Sequence, residues 1–251
     1  MSDNSPFFKS AFSVDNVIFG FDNSDLKVML IKRGEEPFAG QWALPGDLVY
    51  PNEDLDAAAQ RVLEKMSGLT DVYLEQVRTF GAVNRHPLGR VITIVYFSLV
   101  KIAHYNMIST SAMAKSVHWM SVQKVQEAKN LAFDHNEIFE VCFERLQRQV
   151  RSRPIGFELL PPKFTLTELQ QLYESILQTE LDKRNFRKKI LSMKILIDLD
   201  EVQAGVAHRP AKLYKFDRDR YDRAVADGMS FELKESKPKK DTEPKTLASH
   251  F

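Results

Sequence analysis

The chain has 251 residues, 43% of them hydrophobic and 27% charged, with Lys and Arg so nearly matched by Asp and Glu that the net charge is +1. That length supports one or two cores, and no apolar run approaches the roughly 20 residues of a membrane span. The single cysteine, Cys142, rules out an intrachain disulfide and suits a reducing cytoplasm. The near-neutral charge excludes a basic character spread over the whole chain, so any nucleic-acid surface must be local. Met1 to Pro6 is short and polar and lacks the pattern of an export peptide, so a cytoplasmic protein with no membrane association is expected.

Val14 to Phe21 and Leu26 to Ile31 are strand-like, and Asp22-Asn23-Ser24-Asp25 between them is turn chemistry, which predicts a hairpin. A helix is expected over Leu55 to Met66, with Leu55, Ala58, Ala59, Val62, Leu63 and Met66 on one side. Val77 to Val83 and Arg90 to Lys101 read as strands, the second carrying a β-branched and aromatic run. They enclose the loop Asn84-Arg85-His86-Pro87-Leu88-Gly89. Val117 to Met120 reads as a short strand and Asn136 to Val150 as a helix. The basic stretch from Arg145 to Arg153 then meets Pro154, which biases the preceding residue away from helix and marks a domain junction.

Beyond the junction, Thr165-Leu166-Thr167-Glu168 is a capping box, and Leu166, Leu169, Leu172, Tyr173, Ile176 and Leu177 follow at helical spacing. A second helix is expected over Lys183 to Met193, with Phe186, Ile190 and Met193 opposite the cluster Arg184, Arg187 and Lys188. Ile195 to Ile197 and Arg209 to Phe216 form a candidate two-stranded wing. Helix, basic helix and hairpin in this order suggest a winged helix-turn-helix, whose second helix enters the major groove. Lys183, Arg184, Asn185, Arg187, Lys188 and Lys189, with Arg209 and Lys212 from the wing, are the candidate DNA contacts; the bland alternative is a solvated charged face. Lys234 to Phe251 is charged, proline-containing and expected to be disordered.

One motif in the first half carries specific chemistry. Gly40-Gln41-Trp42-Ala43-Leu44-Pro45-Gly46, then Glu53, Arg61 and Gly68-Leu69 resemble the frame of the Nudix box, G-x5-E-x7-R-E-U-x-E-E-x-G-U with U apolar. Glu53, Arg61, Leu63, Gly68 and Leu69 match it. Asp47 stands in place of the first Gly, and Val62, Lys65 and Met66 stand in place of the three Glu after the Arg. Positions 61, 62, 65 and 66 share a helix face by their spacing. Where a hydrolase would gather carboxylates around a divalent ion, this face presents Val62, Lys65 and Met66, leaving Glu53 and Glu64 as isolated acids. No catalytic residue, metal or cofactor is therefore expected.

With the Thr165 and Asp182 segments and Leu131-Ala132-Phe133-Asp134-His135, the chain resembles the NrtR-like, Nudix-related transcriptional regulators. That resemblance implies an α+β protein: a Nudix-like α/β/α sandwich for ligand sensing and dimerisation over residues 1–153, a winged-helix DNA-binding domain over 154–233, and the tail 234–251. It implies a homodimeric repressor bound to double-stranded operator DNA and controlled by a small effector, a sugar such as L-arabinose or ADP-ribose. Within the family the segments Arg61 to Leu63, Val72 to Val77 and Phe80 to Arg85 resemble the sugar-responsive branch most. By analogy the effector contacts are Lys32, Arg33, Trp42, Glu53, Arg85, Arg90 and His135, since a polyol or pyrophosphate needs convergent donors beside an apolar wall. Arg85, on a loop between strands, is the best placed of these. Trp42 has a core role as its alternative, and His135 could form a helix-cap pair with Asp134. The rival functions are a Nudix hydrolase with relocated acids among Glu35, Glu36, Asp47 and Glu53, and a C-terminal domain that binds protein.

Overall fold

The structure is a computed structural model and describes residues 10–22, 25–68, 70, 72, 74–102, 114–153, 156–205 and 209–228. The expected tail 234–251 and the N-terminal segment Met1–Pro6 lie outside the described residues. In β1 (Ala11–Phe21), the run Ser13 to Phe21 is buried throughout, as befits a strand covered on both faces. It pairs in parallel with β6 (Val91–Lys101) from Ala11 opposite Val91 to Phe21 opposite Lys101. The predicted hairpin is present, with β2 (Leu26–Arg33) antiparallel to β1 through Phe19 and Val28.

Two very short strands escaped prediction: β3 (Trp42–Ala43) pairs with the end of β2, and β4 (Gly46–Leu48) pairs with the start of β1. Both are too short to show a period. β5 (Glu75–Phe80) ends before the expected Val83, and β7 (Ala114–Ser121) runs antiparallel to β2. Together these strands make one sheet.

One face of the sheet is covered by α1 (Leu55–Ser67), capped by the Asp54 carboxylate accepting the Ala57 amide and closed by Gly68 in the left-handed region. Its Ala58, Ala59, Val62, Leu63 and Met66 pack on Val14, Ile18, Met29 and Tyr96. Leu55, expected among them, is 36% exposed. The other face carries α3 (His135–Ser152), preceded by the unpredicted short helix α2 (Val122–Ala128). Phe139, Cys142, Phe143 and Leu146 of α3 meet Val17, Phe19, Val28 and Val95. The result is the expected α/β/α arrangement.

The second half holds the expected elements. A 3-10 turn at Phe157–Leu159 leads to α4 (Leu166–Leu177), α5 (Lys183–Ser192), and the hairpin of β8 (Leu196–Val202) and β9 (Lys212–Phe216). Phe164 and Tyr214 exchange backbone hydrogen bonds at 3.0 and 2.8 Å, adding a one-residue third rung to the wing. The unpredicted α6 (Arg218–Ala226) follows, with the Asp217 carboxylate accepting the Arg220 amide as its cap. The core of α4 and α5 is continuous with the α3 side of the sheet, and Gln147 of α3 donates to the Ile176 carbonyl of α4 at 2.9 Å. Among the described residues no helix is long and apolar enough to cross a membrane.

The capping box is complete, with the Glu168 amide donating to Thr165 Oγ1 at 3.1 Å and the Thr165 amide to Glu168 Oε2 at 2.6 Å. Replacing a Thr cap by Ala costs about 1 kcal/mol. Thr165→Ala should therefore lower the unfolding free energy by about that much in urea titration, whereas Gln171→Ala, exposed on the same helix, should leave it within about 0.5 kcal/mol.

Candidate functional site

Asp15 interrupts the apolar run of β1 and is 5% exposed. A carboxylate so placed needs compensating partners, because leaving water costs several kcal/mol per ion. Thr93 Oγ1 of β6 donates to Asp15 Oδ2 at 2.7 Å, Arg85 Nη2 lies 3.5 Å from the same oxygen, and His135 Nε2 lies 3.6 Å from Oδ1. Arg85 also forks onto Asp134, through Nε at 2.8 Å and Nη2 at 2.7 Å, the paired geometry that suits guanidinium and carboxylate. Gly46 of β4 lies directly against this cluster: a Cβ there would fall 2.0 Å from Asp15 Oδ1 and 3.0 Å from the Val14 carbonyl oxygen.

His135 opens α3 and is fully enclosed. Its Nδ1 accepts the Leu44 amide at 2.9 Å, which leaves the ring proton on Nε2, towards Asp15. Burial holds its pKa below the usual value against the opposing pull of Asp15 and Asp134, so the ring is neutral. Asp134 occupies the N-cap position of α3 without a side-chain capping bond. The expected Asp134–His135 cap pair is thus replaced by two separate attachments, Asp134 to Arg85 and His135 to Leu44.

A cavity of about 470 Å³ opens over this cluster. One wall is aromatic and cationic: the Arg33 guanidinium sits 4.8 Å from the Phe133 ring centre, and the His86 ring stacks on Phe133 at 5.1 Å and 13°. Arg33 is held by the Pro37 carbonyl at 2.8 Å and His86 Nδ1 accepts the Leu88 amide at 3.2 Å. Burial depresses the pKa of both groups, and the nearby Arg85 lowers that of His86 further. Arg90 lines the opposite loop and donates to the Gly81 carbonyl at 2.6 Å. Leu44, Leu48, Leu88 and Val91 supply apolar lining, and Glu35, Glu36 and Asp47 the acids. A flat aromatic surface beside several cations suits a planar ring linked to anionic groups.

Of the predicted effector contacts, Arg33, Arg85, Arg90 and His135 line this cavity, while Lys32, Trp42 and Glu53 do not. Lys32 neighbours Arg33 on β2, so the period of two sends it to the opposite face. There its Nζ lies 5.8 Å from the Trp42 ring centre, and both line a separate cleft with His118, whose ring meets Trp42 edge-on at 5.2 Å. Arg85 reaches the cavity wall chiefly as a strut, with a 4% exposed side chain and two of its nitrogens on Asp134. Asp15, Gly46, His86 and Phe133 are not among the sequence candidates. The legible trace of Asp15 is the pair Asp15-Asn16 inside an apolar strand run.

The degenerate box is reorganised rather than bare. Val62 and Met66 do not face outward beside Lys65; both are buried in the core under α1. Glu53 is not isolated: Arg61 grips it through Nε at 2.9 Å and Nη2 at 2.6 Å, reaches Asp47 Oδ2 through Nη1 at 2.9 Å, and lies over the Tyr50 ring. The grip of Arg61 draws the Glu53 carboxyl from 4.5 down to about 2 and raises the Arg61 pKa in return. Lys65 Nζ adds a contact to Asp47 at 3.5 Å. Glu64 is exposed and accepts from Gln60. These residues do not fit a divalent metal: two of the box positions are apolar and buried, and the two nearest acids are bound to internal cations. Among the described residues no cluster of three or more His, Cys, Asp or Glu could hold a metal ion.

On the second domain, Lys183, Arg184, Asn185 and Lys188 are exposed along α5, while Phe186 and Ile190 face the core as expected. Asp182 caps the helix through the Asn185 amide at 2.7 Å. Arg187 departs from the expected reading face: its Nη2 donates to Thr167 Oγ1 of α4 at 2.9 Å, and it is partly buried. Lys189 is half-buried. Lys212 is occupied across the wing by Asp198 at 2.7 Å, which raises the lysine pKa and lowers that of the carboxylate. Arg209 is exposed before β9.

The chain matches two family models, the NUDIX domain over residues 10–142 and the NrtR DNA-binding winged helix domain over residues 156–216. It is 36% identical to an ADPR responsive transcriptional repressor, NtrR, of Acinetobacter baylyi, over 84% of this chain and 83% of that protein. The crystal structure of Shewanella oneidensis NrtR complexed with a 27mer DNA superposes with a TM-score of 0.74 at 29% identity, covering 89% of this chain and 99% of that one. The Nudix domain of the same Shewanella protein in complex with ADP ribose gives a TM-score of 0.50 at 31% identity, over 58% of this chain and 95% of that one.

The geometry around Asp15 makes Gly46→Ala a severe change for its size, with an expected loss of about 1–3 kcal/mol in chemical unfolding; an unchanged midpoint would refute the close approach. The Arg61 grip has a pH signature. A carboxyl held at about 2 in the folded chain against 4.5 otherwise stabilises the fold above pH 4.5 and loses that contribution as pH falls towards 2. Urea midpoints of the wild type and Glu53→Gln should accordingly differ most near neutrality and converge towards pH 2.

Proposed function

The chain belongs to the Nudix family, in the group whose members end in an NrtR DNA-binding winged helix domain, and on that premise we propose that it is a transcriptional repressor whose operator affinity is set by ADP-ribose. The observation that carries this reading is the placement of α3. Its first residue, His135, and the nearby Phe133 line the cavity, and Asp134 between them holds the lining residue Arg85, while Leu146, Val150 and Gln147 near its other end belong to the contact with α4. A ligand that prefers one setting of this helix biases the reading domain by population shift.

ADP-ribose fits the lining better than a bare sugar. The His86–Phe133–Arg33 wall offers a surface for an adenine ring, and Arg33 and Arg90 offer cations to a diphosphate. A relative at 36% identity is named as ADPR responsive, and the solved Nudix domain of another binds ADP ribose. The sugar-responsive alternative draws no support from these relatives. Hydrolysis is disfavoured because Arg61 and Lys65 engage the acids that a metal would need.

The reading domain, residues 154–233 in this proposal, meets operator DNA through the exposed face of α5, with Lys183, Arg184, Asn185 and Lys188 foremost and Arg209 from the wing. A homodimer would set two such helices at the spacing of a two-fold operator.

Fluorescence anisotropy on promoter fragments tests the assignment. ADP-ribose should release the DNA and L-arabinose should not; release by arabinose alone would overturn the effector. Arg33→Ala or Arg90→Ala should weaken the ADP-ribose response about tenfold without changing DNA affinity in its absence, a loss of about 1.4 kcal/mol. Lys188→Ala should reduce the slope of log affinity against log salt by about one.

A further inference from the structure

We propose that the ammonium of Lys65 and the guanidinium of Arg61 take the place of a divalent cation beside the cavity, so that this chain binds its phosphate-bearing effector without metal. The inference deepens the effector reading above and rests on it for the identity of the probe. All four carboxylate oxygens of Glu53 and Asp47 are already engaged by donors of this chain. Glu53 Oε1 accepts the Tyr50 amide at 2.7 Å and Arg61 Nη2 at 2.6 Å, and Oε2 accepts Arg61 Nε at 2.9 Å. Asp47 Oδ1 accepts the Leu48 amide at 2.8 Å, while Oδ2 accepts Arg61 Nη1 at 2.9 Å and faces Lys65 Nζ at 3.5 Å.

Asp47 lines the cavity together with Asp15, Glu35 and Glu36, and of these acids it is the one that Arg61 and Lys65 reach. A carboxylate facing a phosphate repels it unless a cation stands between or behind them. In a magnesium site the ion does this by taking oxygens from both. Here two fixed cations lie behind Asp47, and neither can dissociate. Val62 and Met66, buried at 0% and 1%, contribute no oxygen that could recruit a metal in addition. Lys65 acts through Asp47 and is a positioning residue; it does not line the cavity.

The test is titration calorimetry of the full chain with ADP-ribose, in EDTA and in millimolar magnesium, for the wild type, Lys65→Gln and Lys65→Glu. The wild-type affinity should agree within about twofold between the two buffers, whereas Lys65→Gln should bind several-fold more weakly in EDTA and regain affinity with magnesium, since the metal supplies the missing charge. A merely structural role for Lys65 would weaken binding equally in both buffers and would overturn the proposal, as would a wild-type affinity raised about tenfold by magnesium. Electron paramagnetic resonance with manganese alone reads the same point without any effector. The wild type should show no site of submillimolar affinity, and Lys65→Glu should gain one. A manganese site in the wild type that Asp47→Asn abolishes would overturn the proposal. If ADP-ribose binds under neither condition, the effector assignment fails and the manganese measurement alone decides between an internal cation and a metal.

Discussion

The buried carboxylate of Asp15 is the constraint on which the site depends. Inside β1, with apolar neighbours on both faces, it is tolerable only because β6 supplies Thr93, the loop before β6 supplies Arg85, and the start of α3 supplies His135. Each partner comes from a different part of the chain, so satisfying one charge fixes the mutual position of the central strands, a loop and a helix end. The cavity is the space left above that arrangement. Gly46 belongs to the same constraint, because the approach of β4 to β1 leaves no room for a side chain against the carboxylate.

At the box positions the side chains of this chain serve the fold. The helix and its glycine cap keep their places, and Arg61 keeps its reach to Glu53. Val62 and Met66 have joined the core under the sheet. Arg61 ties α1 to the segment from Asp47 to Glu53 by charge-assisted bonds and by its contact with Tyr50.

Long periodic elements were legible in the sequence because their burial repeats. The bounds expected for α1, α4 and α5 fall within about a residue of those observed, within the usual variation at helix ends, and the Thr165 box named its own helix start. Short elements were not legible: β3 and β4 are two and three residues long and owe their existence to partners elsewhere in the chain. The site was readable in part. Arg33, Arg85, Arg90 and His135 line one cavity, with Arg85 committed to Asp134 and His135 to the Leu44 amide, but composition could not say which face of β2 was the inner one, and Lys32 and Trp42 fell on the other. Nor could residue type distinguish a cation that waits for a ligand from one already committed within the fold, which is why Arg187 and Lys212 looked equivalent to Lys188. Pairing is a property of three-dimensional neighbours, and the chain separations involved, twenty residues for Arg187 and Thr167, are beyond local pattern.

The apolar cluster that starts under the sheet and runs along α3 into α4 and α5 has a consequence for substitution as well as for stability. Cutting between the two halves would leave Leu146 and Val150 on one piece, and Leu159, Leu160 and Leu169 on the other, facing water. The halves therefore cannot drift apart as independent modules. The receiving surface of α3 and the α4 that sits on it form one unit of packing, and a substitution on either side has to be matched on the other.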